Sequence, residues 1–301
     1  MPSIDANGLS FHYESRGNEA DPAILLVMGL GVQMILWPEA LIESLVAQGF
    51  RVVRFDNRDV GLSTHLTHLG MPNVPVEYIR FKLGLKVRAH YTIDTMAADT
   101  AALIDALGLR RPHVVGASMG GMIAQNLAAH YPHHVGSLTS IMSTTGRRSL
   151  PQAQWRALKA VLSPAGRDIP SAIARMQHVL TTIGSLTYPA PPDYLREVCE
   201  RHVRRAHDPA GGARQLVAIA ASDDRSRTVA RIQAPTLVLH GDEDPLVPLA
   251  AGQDTARVIQ AGGGRAELSV VRGMGHDFPV PLIPDIAARI GAFCRGNEAA
   301  A

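Results

Sequence analysis

The stretch Val114-Val115-Gly116-Ala117-Ser118-Met119-Gly120-Gly121 sets a serine in the pattern G-x-S-x-G, between a β-prone run, His113-Val114-Val115, and a helical pattern from Met119 to about His130. A serine on a sharp strand-to-helix turn has strained backbone angles and a hydroxyl that stands clear of the sheet. Small residues two positions either side let strand and helix approach that closely. The helix N-terminus would aim free N–H groups at the space above the hydroxyl, where negative charge develops when a carbonyl is attacked. Ser118 is therefore a candidate nucleophile. It would need an imidazole to take its proton and a carboxylate to orient the imidazole. Two later stretches offer them, each just past a β-prone run. His240-Gly241-Asp242-Glu243-Asp244-Pro245-Leu246-Val247-Pro248 follows 236–239, and Gly273-Met274-Gly275-His276-Asp277 follows 266–271. His276 is the expected base. Asp242 and Asp244 both qualify as the acid, and periodicity does not choose between them. His240 is a rival base by position but precedes the acid loop. His133, His134, His178, His202 and His207 lie on helical or turn patterns and read as surface residues.

Side chains so far apart in sequence need a scaffold that brings strand ends to one rim. Asn7-Gly8 is a strong hairpin signal between two short strands within 3–15. Residues 24–27 form a continuous apolar run, suited to a strand buried on both faces, and 51–55 reads as the next strand. Further strands are expected at 113–115, 138–142, 236–239 and 266–271. Helices are expected at 39–48, 93–107, 119–130, 249–260 and 282–294. Residues 64–92 lack clean periodicity apart from a helical piece near 78–85. From Thr144 to about Ala230 only helical patterns occur, broken by prolines and glycines, which suggests a cap inserted over the strand ends. The expected division is a first core segment 1–143, a helical cap 144–230 and a second core segment 231–301. Alternating strands and helices imply an α/β fold with a doubly wound, mostly parallel sheet, whose sites lie outside the carboxyl ends of the strands.

Composition narrows the function classes. With 46% apolar and 19% charged residues in 301, the chain can bury one large core and carry an insertion. The formal charge is +2 and no basic block stands out, which argues against nucleic acid or an acidic membrane surface as partner. Cys199 and Cys294 are far apart and fit neither a disulfide nor a cysteine-based metal pattern. The start lacks a basic segment followed by an apolar run, and 23–36 is too short and interrupted to span a bilayer, so a cytoplasmic location is expected. The oligomeric state stays open, a homodimer among the options.

These residues resemble the α/β-hydrolase superfamily over nearly the whole chain apart from the cap. The resemblance rests on Met28-Gly29-Leu30-Gly31 with Trp37, on Asp56-Asn57-Arg58-Asp59-Val60-Gly61-Leu62-Ser63, on the G-x-S-x-G turn, on 241–248 and on 273–276. The segment 26–63 is most similar to the esterase branch that includes aclacinomycin methylesterase. Many relatives carry His-Gly where this chain has Met28-Gly29, and the methionine marks that branch. The resemblance implies that the acid is the aspartate shortly before a Val-Pro pair, here Asp244, with Asp242 structuring the loop. It also implies an oxyanion hole from the backbone N–H groups of Leu30 and Met119. The 56–63 run is expected to pin neighbouring backbone through its charges rather than to touch substrate.

The resulting expectation is a serine hydrolase acting on small carboxylic esters through Ser118, His276 and Asp244, with no metal or organic cofactor. A serine at position 118 argues against haloalkane dehalogenase and epoxide hydrolase relatives, which use a carboxylate there. Aminopeptidase, perhydrolase, C–C hydrolase and acyltransferase chemistry share the triad and stay open. A ligand-binding receptor is the alternative from another class. Apolar cap residues, among them Trp155, Leu158, Met176, Leu186 and Tyr194, would partly line a pocket and mostly pack the cap helices.

Overall fold

Asn7 and Gly8 both take positive φ, 48° and 74°, and this tight turn folds Ser3–Ala6 (β1) and Leu9–Arg16 (β2) into an antiparallel hairpin. The protein is described by a computed structural model over residues 2–166 and 168–298; Met1, Arg167 and 299–301, which fall within the three expected segments, lie outside the described residues. The apolar run Ala23–Val27 is β3, followed by helix α1 (Glu39–Ala47) and β4 (Arg51–Phe55). Helix α2 (Val74–Lys82) starts four residues earlier than its sequence suggests. The Asn73 side chain accepts from the Val76 N–H and Pro75 pre-sets the first turn, so capping rather than apolar periodicity sets the start. Helix α3 (Ile93–Ala106) opens with a Thr92–Thr95 capping box. Then come β5 (His113–Ala117), α4 (Met119–His130) and β6 (Leu138–Ile141).

Between β6 and the next strand the described residues hold only helices: α5 (Trp155–Val161), α6 (Ile169–Ile183), α7 (Pro192–Arg205), α8 (Pro209–Ala221) and α9 (Ser226–Val229). The chain returns to the sheet in β7 (Thr236–Gly241), then α10 (Leu249–Ala261), β8 (Ala266–Val271) and α11 (Ile283–Arg295). The sheet has the order β1-β2-β4-β3-β5-β6-β7-β8. Only β1–β2 and β2–β4 pair antiparallel; every other neighbour is parallel.

Alternate residues of β3 point to opposite faces. Leu25 and Val27 join a cluster with α3, α4 and α10, whereas Ile24 and Leu26 join one with α1 and α11. The doubly wound, mostly parallel α/β sheet expected from the alternating pattern is the one observed. Because β3, β5, β7 and β8 run parallel, the loops after Val27, Ala117, Gly241 and Val271 all emerge at one rim. No described helix is long and apolar enough to cross a membrane. Cys199 and Cys294 are free and buried, and burial pushes both thiols up to about 12.

Within the inserted helices, Ile173, Cys199 and Val203 form a small buried cluster with Met176 and Leu180 against it. Trp155 and Leu186 are exposed at 72% and 63%, so these two do not pack the helices together, whereas Tyr194, half-exposed, lines a cleft with Trp37 and Val198.

Candidate active site

Gly116 and Gly120 explain how the turn at Ser118 closes. A Cβ on Gly116 would lie 2.2 Å from the Gly120 carbonyl oxygen, and one on Gly120 would lie 2.0 Å from that of Val27. Strand and helix therefore touch backbone to backbone, which no side chain larger than hydrogen permits. Ser118 between them adopts φ 55° and ψ −120°, a strained conformation for a residue with a Cβ. Ser118 is half-buried while Ala117 and Met119 are buried.

The rim brings the sequence-selected residues together. Ser118 Oγ is 2.9 Å from His276 Nε2, and His276 Nδ1 is 2.7 Å from Asp244 Oδ2. Asp244 Oδ1 accepts from the Leu246 and Val247 N–H groups at 2.9 and 2.8 Å, so both carboxylate oxygens are committed and the side chain cannot rotate freely. The His276 N–H donates to the Ile183 carbonyl at 2.8 Å, which ties the histidine loop to the end of α6. Asp242 does not approach the imidazole. Its Oδ1 accepts from the Gly273 N–H at 2.7 Å and joins the loop after β7 to the loop after β8. His240 lies in β7, fully buried, and its Nε2 donates to the Val247 carbonyl at 2.7 Å. Burial lowers its pKa against that carbonyl and Asp244, so it stays neutral and holds the acid loop.

The Met28–Gly31 loop reaches the serine as well. A Cβ on Gly29 would sit 3.2 Å from Ser118 Cβ and 3.7 Å from its Oγ. Among the described residues neither the Leu30 nor the Met119 N–H has a hydrogen-bond acceptor. The Asp56–Ser63 run pins backbone as expected. Asp56 accepts from the Met34 and Leu62 N–H groups, and Asn57 donates to the Met28 carbonyl. The run also reaches the inserted helices, through Arg205–Asp56 at 2.7 Å and Arg214–Asp59 at 2.7 Å. Burial alone would raise the Asp59 carboxyl, but Arg214, the Leu66 N–H and the Tyr91 hydroxyl outweigh it and hold it below the usual range. Asp59, His65 and Asp208 bring ligand atoms within 4.8 Å of one another, as a metal would require. The Arg214 guanidinium already takes both Asp59 oxygens, so a cation occupies that position in organic form.

Three residues here escaped the sequence reading. Gln33 donates to the His202 and Ala206 carbonyls, at 2.7 and 2.9 Å. Gln215 on α8 accepts from the Gly31 N–H at 2.7 Å and donates to the Arg58 carbonyl at 2.8 Å. His202, expected on the surface, is only 8% exposed. It sits among the polar residues of α7, but its ring is buried and its Nδ1 has no hydrogen-bond partner among the described residues. No local pattern marks these contacts, since each partner is more than a hundred residues away.

Two buried histidines predict an acid-sensitive fold. Burial pushes His113 down to about 4, and burial with Arg205 and His207 nearby pushes His202 down to about 4. Unfolded, both bind protons near pH 6.5, so between 6.5 and 4 the unfolded chain holds more protons and stability falls as pH falls. Each contributes about 3 kcal/mol across that window. Urea midpoints measured from pH 7 to 4.5 should decline, and His113→Gln should flatten the slope. Parallel slopes for variant and wild type would remove His113 as a source.

A family model described as alpha/beta hydrolase fold matches residues 22–279. Rhodomycin D methylesterase DnrP of Streptomyces peucetius is 27% identical over 308 residues, which cover 94% of each chain. Among solved structures, the enol-lactonase of Burkholderia xenovorans LB400 is similar with a TM-score of 0.70 at 21% identity, covering 98% of this chain and 100% of that one. A mutant of the meta-cleavage product hydrolase CumD of Pseudomonas fluorescens IP01 has a TM-score of 0.73 at 19% identity, covering 98% of both. At these identities the two structures show the fold alone.

Proposed function

The chain belongs to the α/β-hydrolase fold family, and from that premise we propose that it is a serine esterase for small-molecule carboxylic esters. The observation that carries the reading is the unbroken line Ser118 Oγ, His276 Nε2, His276 Nδ1, Asp244 Oδ2, at 2.9 and 2.7 Å. Ser118 attacks the ester carbonyl while His276 takes its proton. Asp244 holds the Nδ1–H tautomer and stabilises the imidazolium. The Leu30 and Met119 N–H groups receive the negative oxygen of the tetrahedral intermediate. His276 then returns the proton to the departing alcohol, and water, activated by the same imidazole, releases the acid from Ser118. Similarity to a methylesterase supports an ester as the substrate class. The helices within 144–230 serve as a cap over this rim, and the buried free thiols suit a cytoplasmic enzyme.

Hydrolysis of p-nitrophenyl esters from acetate upward tests the reading, together with a fluorophosphonate probe followed by peptide mapping. Turnover on several chain lengths and phosphonylation at Ser118 are expected. A folded protein that hydrolyses none of the esters and takes no label at Ser118 would overturn it.

A further inference from the structure

We propose that Gln215 is a positioning residue for the oxyanion hole, setting the Leu30 N–H through the Gly31 peptide; this rests on the esterase reading above. Gly31 has φ 66°, in the left-handed region, and carries no Cβ to hold it there. A loop of that kind turns its peptide planes easily, and a turned plane would carry the adjoining Leu30 N–H away from the serine. Gln215 prevents this. Its side chain is fully buried on α8 and spans two backbone groups that differ in character. The Gly31 N–H can only donate and the Arg58 carbonyl can only accept, at 2.7 and 2.8 Å, so the amide has one satisfied orientation and cannot flip.

The far end of the support is itself fixed. Arg58 is buried and pairs with Asp99 through two hydrogen bonds, Nε to Oδ2 at 2.5 Å and Nη2 to Oδ1 at 2.6 Å. The N–H of Gly31 is thus held by a helix inserted between β6 and β7. The insertion contributes to catalysis through the backbone of the hole as well as by covering it.

Gln215→Met keeps the length and bulk of the side chain while removing both hydrogen bonds. Losing one oxyanion donor costs about 10²–10³ in kcat, and a misplaced donor should cost about 10–100-fold. KM for p-nitrophenyl acetate should stay within about twofold, because the hole acts on the transition state and not on the bound ester. Ile173→Ala serves as the control. It opens a cavity in the insertion's own cluster and should lower stability while leaving kcat in place. In the wild type, amide exchange should be slow at Gly31 and fast at its neighbour Leu30. Either a folded Gln215→Met with unchanged kcat, or kcat and KM that shift together as in a general loosening, would overturn the proposal. So would fast exchange at wild-type Gly31, a measurement that needs no variant to fold. A wild type without Ser118-dependent turnover overturns the esterase reading and this one with it; normal wild-type turnover matched by Gln215→Met overturns this one alone.

Discussion

Ser118→Ala is expected to cut ester turnover by about 10⁶, and Asp244→Asn by about 10⁴, while Asp242→Asn stays within a few-fold of wild type. The first removes the attacking atom. The second acts through a tautomer. Asp244 Oδ1 is claimed by the Leu246 and Val247 N–H groups, so an asparagine must keep its carbonyl there and turn its NH₂ toward His276. Nδ1 would then have to accept, the proton would move to Nε2, and the imidazole could no longer take the serine proton. Asp242 touches neither ring nitrogen; its role is the 2.7 Å bond from the Gly273 N–H. Initial rates on p-nitrophenyl acetate, with thermal midpoints to verify folding, separate the three variants. Equal losses at 242 and 244 would reverse the assignment of the acid.

Arg214→Met is expected to destabilise the fold by about 3–5 kcal/mol. The guanidinium and the Asp59 carboxylate are 1% and 0% exposed and meet through two hydrogen bonds, at 2.7 and 2.8 Å. Removing the cation leaves a buried anion with only the Leu66 N–H and the Tyr91 hydroxyl to stabilise it. Adding Asp59→Asn should recover part of the loss, because a neutral amide is far cheaper to bury than an unpaired charge. Urea denaturation of both single variants and the double variant measures the coupling. A loss below about 1 kcal/mol for Arg214→Met, the range of exposed pairs, would show that solvent reaches the site.

The legible parts of this protein were the local ones. Gly116, Ser118 and Gly120 announce their turn because steric closure acts within five residues, and the hairpin at Asn7-Gly8 is visible for the same reason. The histidine loop was equally plain from its place after a strand. Choosing between Asp242 and Asp244 required the resemblance, since two aspartates at an interval of two in one loop satisfy the same spacing. In the structure β7 runs to Gly241, two residues beyond its apolar run, so Asp242 begins the turn and Asp244 lies within it. Arg201, Arg204 and Arg205 give α7 a polar texture in which the burial of His202 leaves no mark. Gln215, Arg205 and Arg214 act through partners in the first sixty residues of the chain, and such distance leaves no trace in periodicity.

The place of the inserted helices in the chain has a consequence for synthesis. Strand β6 pairs with β7, Leu138 opposite Thr236 and Ile141 opposite Leu239, so every residue from 142 to 235 must be made before that edge is covered. At about 5–20 residues per second the ribosome needs roughly 5–20 s for this stretch. Throughout that time a fully buried strand of the finished sheet presents unpaired N–H and C=O groups to its surroundings. Nascent chains halted shortly after α9 should therefore depend on chaperones and aggregate without them, whereas chains extended past β8 should not. The helical insertion between β6 and β7 also lengthens the interval in which a growing chain can find the wrong neighbour.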